Sequence, residues 1–291
     1  MQKRNSNKGP KNSKPGNFKS KGGSKPFKAK APGTKPTYSR PPLPKAPPKP
    51  ELVNESGEIR LNKFLAHAGI SSRREADNLI KSGLVEINGK IITEMGYKVK
   101  PEDEVKFSGE LIRAEKKVYL VLNKPKGFIT TTDDPKARKT VMELVSGAGK
   151  QRFYPVGRLD RKTSGVLMFT NDGDLAKKLT HPSHGARKIY EVSLDKALTA
   201  QDLKKIAVGL TLEDGLIEVD DIQYIESKSK NNVGLVIHSG RNRIVRRIFE
   251  SLDYEVTKLD RVFFAGITKK NLNRGQWRYL NEKEVSYLQM K

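Results

Sequence analysis

Val166-Leu167-Met168-Phe169 is an unbroken apolar run set between two groups of turn formers, Thr163-Ser164-Gly165 and Asn171-Asp172-Gly173. A short run without polar alternation, bounded in this way, predicts a buried strand around which a core has to be built. Just ahead of it lies Asp160, with Arg158, Arg161 and Lys162 alongside. Neighbouring positive charge favours the ionised carboxylate. Two readings are open at this point. One is a solvated surface turn. The other is an acid displayed on a loop by a rigid strand, where reactive groups are often carried.

Upstream, Val118-Tyr119-Leu120-Val121-Leu122 predicts a second buried strand, ended by Asn123-Lys124-Pro125-Lys126-Gly127. A loop over 130–139 leads to a short helix over 141–145. Downstream, 174–179 predicts a helix. Residues 188–194 alternate, with Ile189, Glu191 and Ser193 on one strand face and Tyr190, Val192 and Leu194 on the other. A helix is predicted over 199–207 and strands over 216–225, 233–238 and 255–264. Ile244, Val245, Ile248, Phe249 and Leu252 make one helical stripe, with Arg243, Arg246 and Arg247 outside it. Arg241 makes four arginines within seven residues, a phosphate-binding candidate weighed against a plain solvated face. Strands and helices mix without regular alternation, which predicts an α+β fold with mainly antiparallel pairing.

Ahead of this region, residues 58 to about 110 predict a small domain. Leu61, Phe64, Leu65 and Ala68 recur at helical spacing, and Gly69 can stop that helix. Ser72 with Glu75 forms a capping box for a second helix that carries Ala76, Leu79 and Ile80 on one face. Leu84 to Ile87, Asn88-Gly89 and Lys90 to Ile92 predict a hairpin, followed by a strand over 104–107. Arg73, Arg74 and Lys81 decorate the second helix, either as a solvated face or as a binding edge.

Composition narrows the partners. The formal net charge is +24, which points to polyanions. Residues 1–50 hold 12 Lys, 2 Arg, 11 of the 16 prolines and no acid. They carry almost no large apolar residue, so ordering entropy is not offset by burial, and a disordered basic tail is expected. Non-specific binding to RNA phosphates is the favoured role for it, against simple solubilisation. Cysteine is absent, which excludes disulfides, thiolate nucleophiles and Cys-based zinc sites, and fits a reducing compartment such as the cytoplasm. No run is long and apolar enough for a membrane helix, so no membrane partner is expected. There is no Gly-x-Gly-x-x-Gly and no phosphate loop, and His181 and His184 read as loop residues rather than ligands. What remains is Asp160, several arginines and Tyr190, which suits chemistry that uses one carboxylate with no cofactor and no metal.

Leu61-Asn62-Lys63-Phe64-Leu65, Ser71-Ser72-Arg73-Arg74-Glu75-Ala76 and Val85-Glu86-Ile87-Asn88-Gly89-Lys90 resemble the S4 RNA-binding domain. Gly157-Arg158-Leu159-Asp160, Thr163, Gly165 and Thr170-Asn171-Asp172-Gly173 resemble the catalytic motif of pseudouridine synthases of the RsuA family, which carry an N-terminal S4 domain. Lys188-Ile189-Tyr190 is similar to that family's tyrosine motif, and Gly240-Arg241-Asn242-Arg243-Ile244-Val245-Arg246-Arg247 to its third motif.

The resemblance implies that Asp160 is the catalytic aspartate, that Tyr190 stacks on the target base, that Arg246 pairs with Asp160, and that Arg158 helps hold a flipped nucleotide. A core tyrosine remains the alternative for Tyr190. The resemblance also implies RNA contacts at Arg73, Arg74, Lys81, Arg241, Arg243 and Arg247. Ile244 stands where relatives usually carry Gln or Glu. The expected organisation is a basic tail over 1–57, an S4-like domain over 58–115 and a synthase domain over 116–291. The expected reaction isomerises a uridine of ribosomal RNA. The start of the third motif looks more like that of the 23S rRNA enzymes. The expected protein acts as a monomer on ribosomal RNA or a pre-ribosomal particle. The rival reading is a non-catalytic RNA-binding ribosome-assembly protein, favoured if Asp160 and its arginine lie far apart.

Overall fold

The computed structural model describes residues 57–290; the expected basic tail, apart from Gly57, lies outside them. The first part is small and built as the periodicity predicts. Helices Leu61–His67 and Arg73–Lys81 pack Leu61, Leu65, Ala76 and Ile80 against Val85, Ile87, Val99 and Val105. The Ser72 hydroxyl accepts from the Glu75 amide at 3.3 Å, and the Glu75 carboxylate accepts from the Ser72 amide at 2.7 Å, which completes the capping box. Asn88 and Gly89 both take positive φ, 51° and 77°, as a two-residue hairpin turn that follows the strand twist requires.

The second part is a mixed sheet. Among the described residues its strands run in the spatial order Asp221–Tyr224, Asn232–Ile237, Lys188–Leu194, Val256–Phe264, Ser164–Thr170, Tyr119–Lys124 and Trp277–Tyr279. Two short strands, Ile267–Thr268 and Tyr154–Val156, pair off this path. Among the described residues, the strands of this sheet pair antiparallel except at one place. Asp260 and Arg261 lie parallel to Ser164 and Gly165. Leu120, Leu122, Leu167 and Phe169 face a core shared with helices Val141–Val145, Ala200–Val208 and Ile244–Glu250. Val121, Val166 and Met168 face a second core with helices Gly173–Thr180 and Glu282–Met290. Both faces of the central strands are covered, which is why their sequences run apolar without alternation.

Three readings change. The strand expected to end before Asn123 runs on through Asn123 and Lys124, both buried. Ser164 and Gly165 belong to the strand, not to the turn before it. A β-carbon on Gly165 would stand 2.1 Å from the Arg261 carbonyl oxygen, so glycine here serves a close backbone approach. The single strand expected over 216–225 is two. Leu210–Leu212 and Gly215–Ile217 form a hairpin across Glu213-Asp214, and Asp221–Tyr224 then joins the main sheet. The Asp214-Gly215 pair was the local hairpin signal.

Candidate active site

The loop carrying Asp160 is held by its backbone. Thr130 Oγ1 donates to the Leu159 carbonyl at 2.7 Å and accepts from its amide at 3.2 Å. Gly127 N–H donates to the Arg161 carbonyl at 2.8 Å. The Lys124 ammonium donates to three carbonyls, those of Pro125 and Asp160 at 3.1 Å and Thr163 at 2.9 Å. Lys124 is fully buried, and burial pushes its ammonium down to about 8 against the pull of Asp160. Three acceptors match its three N–H bonds, so the charge is satisfied inside the protein. Asp160 itself is exposed, and its carboxylate takes no hydrogen bond or ion pair among the described residues. The loop is thus rigid where it is backbone and free where it is chemistry.

Asp160 opens on a cavity of about 440 Å³, inside the range of small-molecule sites, roughly 300–1,000 Å³. Arg158, Arg161, Lys188, Arg241, Arg243 and Arg261 also line it, with Asp160 as the sole acid of the lining. Tyr190 forms part of the wall. Its ring is mostly buried, and Leu235 and Arg261 are its neighbours across the two adjoining strands. The Lys188 ammonium donates to the carbonyls of Ala186 at 2.9 Å and His238 at 2.7 Å, and burial pushes it down to about 8. A larger cavity, about 780 Å³, lies among residues of the first part and the helix Gly173–Thr180. The Asp172 carboxylate in its wall is already taken by Lys117 at 2.7 Å and Tyr119 at 2.8 Å.

The motif 157–173 therefore divides by task. Its first half lines the cavity. Its second half is architectural. Thr170 Oγ1 donates to the Val118 carbonyl at 2.6 Å, and Asn171 exchanges hydrogen bonds with Lys116 and Val118. Asp172 caps the helix Gly173–Thr180. Burial raises the Asp172 carboxyl, but Lys117 and Tyr119 outweigh it and hold the group below its ordinary range.

The arginines separate in the same way. Arg158, Arg241 and Arg243 are exposed on the cavity wall. Arg247 forms a two-bond fork with Asp214 at 2.9 and 2.7 Å and does not line the cavity. Arg73, Arg74 and Lys81 are exposed on the helix of the first part, away from this lining. The pairing expected between Arg246 and Asp160 is not formed. Arg246 is buried, and its Nη1 donates to the Val256 carbonyl at 2.8 Å, which ties its helix to the strand Val256–Phe264. Ile244 explains why an apolar residue is tolerated at its position: it is 6 % exposed and packs into the core.

Thr163 and Lys188 stand in motifs read from the sequence but carry no assigned role there, and Lys124 and Arg261 are not legible as site residues at all. Lys124 sits in the Asn123-Lys124-Pro125-Lys126-Gly127 stretch that reads as a turn and Arg261 in a strand beside Lys258 and Asp260, and both contexts suggest solvated side chains.

Residues 118–251 match the family described as RNA pseudouridylate synthase, and residues 59–105 match the S4 domain. The ribosomal large subunit pseudouridine synthase B of Bacillus subtilis (strain 168) is 40 % identical over 232 residues, covering 79 % of this chain and 95 % of that protein. The protein of the same name from Vibrio vulnificus (strain CMCP6) is 39 % identical over 237 residues, covering 79 % and 74 %. A crystal structure of a pseudouridylate synthase superposes with a TM-score of 0.56 at 29 % identity, covering 79 % of this chain and 99 % of that one.

Proposed function

This chain belongs to the RNA pseudouridylate synthase family, and we propose that it isomerises a specific uridine of large-subunit 23S rRNA to pseudouridine. The observation that carries the reading is the free Asp160 carboxylate, fixed through its backbone beside Tyr190 in a cation-lined cavity. The named function of the Bacillus subtilis and Vibrio vulnificus relatives supports the choice of the large subunit.

The reaction breaks the bond from uracil N1 to ribose C1′, turns the base, and joins C5 to C1′. A base cannot turn inside a stacked helix, so the nucleotide is flipped into the cavity. Asp160 acts on the sugar, either by attack at C1′, as in retaining glycosidases, or by taking a ribose proton. Tyr190 stacks on the base and offsets part of the lost stacking, roughly 1–3 kcal/mol. Arg158, Arg241 and Arg243 meet phosphates at the mouth, and Arg73, Arg74 and Lys81 bind RNA farther out. Residues 58–115 serve as the RNA-binding domain, 116–291 as the catalytic domain, and 1–57 as a basic tail that adds phosphate affinity in the cytoplasm. The unformed Arg246–Asp160 pair by itself favours an inert assembly protein, but it is outweighed by the synthase family match and by relatives 40 % and 39 % identical that are named ribosomal large subunit pseudouridine synthases.

The test is direct. Purified protein is incubated with transcribed 23S rRNA, and pseudouridine is mapped by chemical labelling and mass spectrometry. One uridine, or a small number of neighbours, is converted. Absence of conversion in both the free transcript and isolated precursor particles refutes the reading.

A further inference from the structure

Among the described residues, three buried side-chain polar atoms have no hydrogen-bond partner: His67 Nε2, Thr163 Oγ1 and Arg261 Nη2. Two of the three, those of Thr163 and Arg261, belong to residues lining the Asp160 cavity. Buried polar groups are nearly always paired, so two unmet atoms on residues of one cavity lining point to a ligand that supplies the missing partners.

Arg261 is the more informative. It is 3 % exposed, its Nε donates to the Val166 carbonyl at 2.9 Å, and its guanidinium lies 4.6 Å over the Phe264 ring. The cation is therefore held in place on two sides, with one N–H edge unmatched. Its backbone is also held. Arg261 is the register neighbour of Tyr190 on one side and of Gly165 on the other. Arg158, Arg241 and Arg243 are exposed, as phosphate contacts need to be. Arg261 is buried beside Tyr190, the residue assigned to the base.

We propose that Arg261 is a substrate contact whose Nη2 donates to a carbonyl oxygen of the flipped uracil and stabilises the charge that builds there. This rests on the reaction proposed above. When the N1–C1′ bond breaks, its electron pair stays with the base and spreads over N1, O2 and O4. C5 then bonds to C1′, C5 gives up its proton and N1 gains one, so the product is an isomer of the substrate. A preorganised cation at a carbonyl oxygen lowers the energy of the anionic stage, where it counts most in a site shielded from water.

The test uses the full chain and a short RNA containing the mapped uridine, under single-turnover conditions. Arg261→Lys keeps the charge but loses the fork. Its rate on uridine falls about 100-fold, in line with loss of one oxyanion donor, while RNA affinity changes less than about twofold. The same RNA carrying 5-fluorouridine, whose base anion needs less stabilisation, shows a clearly smaller defect in consumption of the target base. An unchanged rate, or equal defects on the two bases, overturns the proposal. If Arg261→Lys does not fold, the wild-type protein is assayed on 2-thiouridine and 4-thiouridine RNAs, because a thiocarbonyl is a poorer acceptor. Slowing with one of them is expected, and the uridine rate with both overturns the proposal. Wild-type protein that converts no uridine overturns the parent reaction, and with it this contact; the outcomes above arise only when wild type is active.

Discussion

Lys124→Met removes the ammonium from under the Asp160 loop while keeping much of the side-chain volume. The wild-type amine serves three carbonyls at 2.9 to 3.1 Å. The bonds to Pro125 and Asp160 lie partly open, so those carbonyls regain water in the variant. The bond to Thr163 is buried, so that carbonyl is left unpaired, at a cost of about 1–3 kcal/mol. The loss of charge-assisted bonding at the two open carbonyls, less the relief of no longer burying an ammonium, adds about 1 kcal/mol. A total near 3 kcal/mol lowers Tm by roughly 6–12 °C in a domain of this size. It leaves the protein folded at 25 °C, since domains carry about 5–15 kcal/mol.

Activity suffers more. With the anchor gone, a shift of about 1 Å in Asp160 costs roughly 100-fold in rate. RNA affinity stays near wild type, because the exposed arginines are untouched. Differential scanning fluorimetry, RNA binding and single-turnover pseudouridine formation are measured on one preparation. Wild-type Tm and rate together refute the bracing role. A lowered Tm with an unchanged rate shows that the lysine supports the fold without setting the position of Asp160.

Tyr190→Phe keeps the ring and most RNA binding, whereas Tyr190→Ala loses about 1–3 kcal/mol of stacking, measured as single-turnover rate and affinity. Equal activity in both variants returns Tyr190 to the core. Gly165→Ala places a methyl 2.1 Å from the Arg261 carbonyl at a φ of +113°, so the variant loses at least about 3 kcal/mol by denaturant titration and much of its activity. Wild-type stability there contradicts the close parallel pairing. Burial holds the ammonium groups of Lys124 and Lys188 at about 8, so both are charged below that pH and lose a proton above it. A neutral Lys124 has two N–H bonds for three carbonyls, so turnover falls as pH rises through about 8. A flat profile to pH 10 contradicts this.

Much of the fold was readable because its signals are local. Val166 to Phe169 lie under layers on both faces and so run purely apolar, and the Ser72–Glu75 cap and Asn88-Gly89 turn are made by neighbours in sequence. The site was half readable. Asp160 and Tyr190 stand in motifs, whereas the residues around them are recruited from afar. Lys124 reaches across to Asp160 and Thr163, and Arg261 arrives through a parallel pairing that no local pattern announces. The Arg246 expectation failed for the same reason. Its helix is legible, but the acceptor its guanidinium meets, the Val256 carbonyl, is set by packing.

Asp160 is the residue on which the chemistry turns. Asp160→Asn is nearly isosteric, and the lost carboxylate makes no hydrogen bond or ion pair within the described residues, so Tm stays close to wild type. The amide is neutral and serves poorly as nucleophile or base. Pseudouridine formation on the mapped 23S rRNA site is measured alongside RNA affinity. The expected result is a folded variant that binds RNA with wild-type affinity and forms no detectable pseudouridine. A folded variant that converts the uridine at near wild-type rate contradicts it.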